Sequence, residues 1–309
     1  MRESARPVTY LIIAMLAWGS VYPVSKYLMT DISPMTMAFL RYIAAIITLS
    51  PMFIIEIRKN SKKIDFKSLI ILTAAGLAGT AVFSIFLYFG IAHSTASNGS
   101  ILINTQPVFT AVLAFFLLGE SISRRQIIGI AIGIAGIVLV VTGGDFSLFK
   151  TGGEVLSGNL LLLCGAVSMS LYGILIKEPV RRLGSLATTY ISMLIGTVVL
   201  FFVNFIINKN FFTELSSPSG MDILLIIYLG SIATAAAYLF FSMSLKYFDV
   251  VRATAFKFLI PVSGITLSIL FLGERPASAA YAGIFIVIIS IFLIQRQNNF
   301  INADMKTRM

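Results

Sequence analysis

Ten long apolar runs dominate this sequence and restrict the solvent in which the chain can fold. Each is close to the roughly 20 residues that a helix needs to cross the hydrocarbon core of a bilayer. Lipid cannot hydrogen-bond a free backbone amide, so each run must be helical. We therefore predict an all-α integral membrane protein with ten transmembrane helices. The predicted spans lie near residues 8–28, 35–56, 68–90, 96–118, 126–142, 157–176, 187–207, 222–244, 251–272 and 278–295.

Composition excludes several other classes of protein. Of the 309 residues, 58% are apolar and 12% are charged, whereas a soluble domain carries about 25% charged residues. One cysteine, Cys164, and one histidine, His93, leave no basis for an intramolecular disulfide or for a Cys- or His-based metal site. We expect no cofactor, no metal and no nucleic acid; the expected partners are the lipid bilayer and a small molecule.

The basic residues predict the orientation of the chain. With the N-terminus placed inside, 17 of the 23 Lys and Arg residues fall in inside segments, four in outside segments and two within spans. Cytoplasmic loops carry an excess of Lys and Arg in membrane proteins. The predicted location is therefore the inner (plasma) membrane, with both termini cytoplasmic.

The two halves of the chain resemble each other. Residues 106–120 have the sequence QPVFTAVLAFFLLGE and residues 260–274 have IPVSGITLSILFLGE, so a proline and a Gly-Glu pair recur at an offset of 154. Apolar segments match by chance, but a fixed offset across several spans is harder to attribute to chance. Further pairs at this offset are Gly76 and Gly230, Thr80 and Thr234, Phe86 and Phe240, and Gly129 and Gly283.

Five spans in each half have a topological consequence. Because five is odd, the halves must cross the membrane in opposite senses, which is the inverted repeat typical of secondary transporters. A substrate site is then expected near the midplane between the halves. The predicted division is a first five-helix repeat at 1–142, a linker at 143–156, a second repeat at 157–296 and a cytoplasmic tail at 297–309.

At this point the chain resembles the EamA type of the drug/metabolite transporter superfamily. The resemblance rests on the Trp-Gly-Ser stretch at 18–20, on the two proline-to-Gly-Glu motifs and on the five-plus-five layout, and it covers nearly the whole chain. It implies a transporter, often an exporter, with a central cavity lined by spans one, three, four, six, eight and nine. It leaves open amino acids, sugars, phosphorylated sugars and nucleotide sugars as substrates.

Lys257 is the first candidate for substrate binding. It lies about six residues into the predicted ninth span, and a cation inside a span costs about 2.5–3.5 kcal/mol on insertion scales. Such a residue normally faces a cavity or a partner, so we predict that Lys257 binds a carboxylate or phosphate. The alternative is a lysine that extends to the inner surface. Arg41 in span two is a weaker candidate, because it could reach the outer surface and pair with Asp31.

Aromatic and small polar side chains supply the other candidates. Trp18 and Tyr22 share one face of span one, and the matched positions in span six are Ser168 and Tyr172. An aromatic core or an interfacial belt is the competing interpretation. On spans three, four and eight, small polar groups can bond a substrate or their own helix backbone; the candidates there are Thr80, Asn104, Thr234 and Tyr238.

Two prolines and two glutamates are predicted to serve movement. Pro107 and Pro261 each remove an intrahelical hydrogen bond and bend their helix, as a hinge or as a permanent kink. Glu120 and Glu274 end spans four and nine, at opposite faces of the membrane in this topology. They are either solvated helix ends or gates that pair with a nearby arginine.

The combined prediction is a secondary transporter that uses alternating access. Its substrate is a small metabolite with an anionic group, such as an amino acid or organic acid, moved by export or exchange. Carboxylates occur only in loops or near span ends, which argues against coupling through a buried carboxylate. An intramembrane enzyme and a channel are the less favoured alternatives, and a sugar-phosphate or nucleotide-sugar carrier is the alternative among transporters.

Overall fold

The computed structural model describes residues 5–59, 64–119, 123–147, 153–244 and 256–295. Within these ranges the regular structure is helical, and strands are absent. We label the long membrane helices α1 to α10. Their bounds are Ala5–Leu28 (α1), Pro34–Lys59 (α2), Phe66–His93 (α3), 96–118 (α4), Arg124–Thr142 (α5), Glu154–Leu175 (α6), Ser185–Ile207 (α7), 220–244 (α8), 256–272 (α9) and Ser278–Gln295 (α10).

The helices α1 to α8 contain runs long and apolar enough to cross a bilayer. Two shorter apolar helices, Leu259–Leu272 and Ser278–Ile294, form the described parts of α9 and α10. The predicted all-α membrane fold is thus confirmed. The first residues of the predicted ninth span, 251–255, lie outside the described ranges.

Helix packing repeats when the two halves are exchanged. Helix α1 packs on α8 and α9, and its counterpart α6 packs on α3 and α4. In the same way α2 packs on α8, and its counterpart α7 packs on α3. The contacts α2–α7, α4–α9 and α5–α10 each join a helix to its own counterpart, so exchanging the two halves leaves these contacts unchanged. This is the pattern expected of two similar five-helix units that are related by a pseudo-two-fold axis.

Irregular backbone also recurs at equivalent places. A π-helical segment interrupts α3 at Leu77–Val82 and α8 at Tyr228–Ala236. When the residue numbers of the first segment are increased by the repeat offset of 154, they fall within the second segment. Each π-helical turn shifts the faces of the helix on its two sides and is frequent at functional sites. The side chain of Thr234 reflects this geometry, since its hydroxyl donates to Leu229 O, five residues back, at 2.8 Å.

Polar contacts show which helix ends share a face of the molecule. Arg182, between α6 and α7, lies 3.2 Å from the carboxylate of Asp65, between α2 and α3. At the opposite end Ser33, between α1 and α2, donates to Glu214, between α7 and α8, at 2.6 Å. We call the side that contains Asp65 the Asp65 end. We call the opposite side the Glu274 end, because α9 ends there beside Glu274. Alternate connections thus fall on alternate sides.

Candidate functional site

Arg41 lies inside the bundle, where the two halves meet. The residue is 5% exposed, and its Nε donates to Thr234 Oγ1 at 2.8 Å. Its Nη1 donates to the hydroxyl of Tyr88 at 3.3 Å. The expectation that Arg41 reaches the surface and pairs with Asp31 is wrong, because α3 and α8 supply internal acceptors; Asp31 accepts a hydrogen bond from Thr30 instead.

Tyrosines surround the guanidinium of Arg41. The ring centroid of Tyr42 lies 5.6 Å from its Cζ, and the hydroxyl of Tyr88 accepts from its Nη1. The hydroxyl of Tyr22 accepts a 3.4 Å hydrogen bond from Asn104 Nδ2. Neutral hydroxyls thus surround the cation, and they can both donate to and accept from a ligand.

Part of the Arg41 guanidinium remains available. Within the described part of the chain, its Nη2 has no hydrogen-bond partner. No described carboxylate pairs with Arg41 either. Arginine binds carboxylates and phosphates through paired N–H donors, so this edge can receive an anion.

Lys257 lies in a short 3₁₀ turn, Phe256–Phe258, at the start of α9. Its Nζ is 6.0 Å from the ring centroid of Trp18 and 5.6 Å from that of Phe241. Aromatic faces attract a cation without neutralising it. Among the described residues the ammonium group has no carboxylate partner, and the side chain is part-buried. The structure thus brings Lys257 and Trp18 together.

Trp18 connects the predicted candidates on different helices. Its ring meets Tyr238 edge-on, with centroids 5.4 Å apart, and packs on Phe241 at 5.6 Å. The next residue, Gly19, lies directly against Ser263 of α9, where a side chain would not fit. This close approach of α1 and α9 sets Trp18 beside Lys257. We name Arg41, Lys257, Trp18, Tyr22, Asn104, Tyr238 and Thr234 the central cluster.

Three predicted site residues pack between helices instead. Ser168 donates to Ala78 O at 2.7 Å, and the ring of Tyr172 covers Gly79. Thr80, the repeat partner of Thr234, packs against Gly196 of α7. The two halves are therefore alike in backbone but differ in what equivalent side chains contact.

Both predicted hinge prolines follow a short 3₁₀ turn. Ile103–Thr105 precedes the α-helical part of α4, where Pro107 is in the first turn. Phe256–Phe258 precedes Leu259–Leu272, where Pro261 is likewise in the first turn. Proline fits a first helical turn because no intrahelical donor is needed there. The prolines thus start the C-terminal parts of α4 and α9, and their role as hinges stays a prediction.

Glu274 joins α9 to the beginning of α4. Its carboxylate accepts from Ala96 N at 2.8 Å, from Ser97 N at 2.9 Å and from Ser97 Oγ at 2.6 Å. A carboxylate is favourable at a helix N-terminus, where amides are free and the helix dipole is positive. Glu274 is thus part-buried with fixed hydrogen-bond partners, and no described arginine pairs with it. Its repeat partner Glu120 lies outside the described residues.

Comparison with known proteins identifies relatives over the length of the chain. The EamA-like transporter family matches residues 5–142 and 156–296, which confirms the resemblance found in the sequence. The uncharacterized transporter YetK of Bacillus subtilis is 27% identical over 289 residues, covering 92% of this chain and 84% of the relative. A probable terminal-alkyne amino-acid exporter of Streptantibioticus cattleyicolor is 24% identical, covering 95% and 94%.

A solved crystal structure has the same fold. Its TM-score is 0.65 at 16% sequence identity, with 96% of this chain and all of that chain covered. The likeness supports the arrangement of the helices that form the central cluster.

Proposed function

Since the chain belongs to the EamA-like transporter family, we propose that it carries a small metabolite with an anionic group across the inner membrane by alternating access. The observation that carries this proposal is Arg41, a buried guanidinium with an available edge and no described carboxylate partner. Lys257 is the second cation, and export or exchange is the proposed mode.

The energetics of buried charge support an anionic substrate. A cation held away from water is unfavourable unless opposite charge or hydrogen bonds compensate it. Tyr88 and Thr234 satisfy only part of Arg41. A substrate carboxylate or phosphate supplies the missing charge and leaves again, which a permanent glutamate at the same place would not do. One relative is named an amino-acid exporter, and amino acids carry a carboxylate.

Contacts between the halves suggest how access alternates. We assign Glu274 as a gate at the outer face, because its bonds to Ala96 and Ser97 tie α9 of one half to α4 of the other. The excess of basic residues in the opposite loops supports this orientation. Opening at this end requires these bonds to break. Pro107 and Pro261 are the proposed hinges, and the substrate's own gradient or exchange drives the cycle.

Counterflow in proteoliposomes tests this function. Purified protein is reconstituted, and labelled organic acids, amino acids and sugar phosphates are offered to vesicles preloaded with the same unlabelled compound. We expect transient accumulation of an anionic compound, and a loss of about tenfold or more in Arg41→Gln and Lys257→Met. Lys209→Met, at an exposed loop position, is the matched control and should transport normally.

Specific outcomes would contradict the proposal. Uptake that only equilibrates the label, with no transient accumulation above the outside concentration, would indicate a channel. Transport of only neutral compounds, unchanged in both variants, would exclude an anionic substrate. Chemical conversion of the compound instead of its movement would indicate an enzyme. Membrane insertion of each variant is measured alongside, so that a folding defect is not mistaken for lost transport.

A further inference from the structure

The central cluster contains two cations at separate places. Arg41 is held by α3 and α8 through Tyr88 and Thr234, whereas Lys257 lies over the rings of Trp18 and Phe241. The residues that contact Arg41 are therefore different from those that contact Lys257.

Aromatic rings connect the surroundings of the two cations. Trp18 contacts Lys257 on one side and meets Tyr238 edge-on at 5.4 Å on the other. Tyr238 in turn lies on α8 four residues after Thr234, the hydrogen-bond partner of Arg41. The order Lys257, Trp18, Tyr238, Arg41 thus places a charge at each end of an aromatic pair. A short organic spacer packs well on such rings, while its charged ends reach past them.

We propose that the substrate carries two anionic groups held apart by a short spacer, as in a dicarboxylate, with one group on Arg41 and the other on Lys257. This inference rests on the proposed transport of an anion and narrows its chemical class. Two cations without a carboxylate partner among the described residues favour a ligand of matching charge. Loading the substrate then neutralises both ends of the site at once.

The same arrangement disfavours a zwitterionic amino acid. An ammonium group needs a carboxylate or several carbonyl acceptors, and the described carboxylates lie at helix ends, as with Asp65, Glu214, Asp222 and Glu274. At the position of Lys257 a substrate ammonium would meet a like charge, which destabilises the complex. Specificity thus arises from repulsion as well as attraction.

Trp18 provides a direct measurement, because it is the single tryptophan of the chain. Its fluorescence is titrated in detergent-purified full-length protein with straight-chain probes of four, five and six carbons. For each length a dicarboxylate (succinate, glutarate, adipate) is compared with the monocarboxylate and with the ω-amino acid. We expect at least one dicarboxylate to bind at least about tenfold more tightly than the monocarboxylate and the ω-amino acid of the same chain length.

Variants of Lys257 separate charge from packing. The affinity of Lys257→Met for the dicarboxylate should fall to its affinity for the monocarboxylate of the same length. The affinity for the monocarboxylate should be nearly the same as in the wild type. Lys257→Arg should restore most of the difference, since it retains the positive charge. A melting temperature close to that of the wild type shows that each variant is folded.

Other results would overturn the inference. Equal or tighter binding of monocarboxylates or ω-amino acids would refute two separate anion sites, as would a preference for glycerol 3-phosphate, whose charge is on one group. Absence of binding by every dicarboxylate would refute it too. In each case counterflow of another anion would leave the proposed transport intact, so the two failures can be told apart.

Discussion

Arg41 Nε donates to Thr234 Oγ1 across 2.8 Å, and this bond joins α2 of the first half to the π-helical segment of α8 in the second. The acceptor hydroxyl is itself fixed, because it donates to Leu229 O. The orientation of the guanidinium, and with it the position of Nη2, therefore depends on this threonine together with Tyr88.

Thr234→Val should destabilise the protein and weaken anion binding. Valine has a similar shape but no acceptor, so Arg41 loses a charge-assisted bond worth about 2 kcal/mol. We expect the melting temperature to fall by a few degrees, measured by thermal unfolding in detergent. Thr234→Ser should behave as the wild type. Thr73→Val, at a threonine that bonds only its own helix, is the control; an equal loss there would show that the effect is not specific.

Glu274→Gln should loosen the start of α4. The amide keeps one acceptor oxygen but loses the charge that stabilises the free amides of Ala96 and Ser97. Hydrogen exchange measured over residues 94–99 should become faster, by about tenfold if the gate opens more often. Glu178→Gln, beside Arg182 on a short surface helix, should leave this segment unchanged. Unaltered exchange in Glu274→Gln would argue against a gate at this position.

Asp65 should make stability depend on pH in the acid range. Hydrogen bonds from the side chain and the backbone of Ser68, with Arg182 nearby, lower the pKa of Asp65 to about 2. An unfolded aspartate has a pKa of about 3.9. The folded-state pKa is the lower one, so the stabilisation is complete above about pH 4 and is lost as the pH falls toward 2.

Asp65→Asn removes this charge but keeps a side chain suited to capping the helix at Ser68. Between about pH 5 and pH 2.5 the melting temperature of the wild type should therefore fall more steeply than that of Asp65→Asn. The same slope in both proteins would show that Asp65 contributes no pH-dependent stability.

Gly76→Ala should damage the contact between α3 and α7. A methyl group at Gly76 would meet the backbone carbonyl of Ser192, which cannot move aside easily. Overpacking of this kind costs about 1–3 kcal/mol. Gly173→Ala is the matched control, because it is also a helical glycine but has open space around it. We expect it to be neutral or slightly stabilising; similar unfolding temperatures for both variants would contradict the close approach.

The sequence predicted what depends on local composition. Apolar length determined the membrane helices, and the offset of 154 revealed the two similar halves together with Thr234 as a candidate. Lys257 stood out because a cation within an apolar run is costly wherever it faces. These inferences need no knowledge of which helices touch.

Arg41 shows what the sequence could not give. Its partners Tyr88 and Thr234 are 47 and 193 residues away, and no local pattern indicates that they converge. Its position inside a span is the signal that the sequence offers. Ser168 matches a repeat position and its hydroxyl bonds the backbone of α3; its role in substrate binding stays a prediction.

The π-helical segment of α8 also separates chain length from chemistry. Each residue of a helix turns the chain by about 100°, and a π-turn accommodates one residue more than an α-turn. Deleting one residue between Tyr228 and Ala236 would convert a π-turn into an α-turn, which absorbs the loss. Tyr238 would then still face Trp18. A single codon lost here would thus leave the lining of the site in place, whereas a codon lost from a purely α-helical stretch would turn the residues that follow by about 100°.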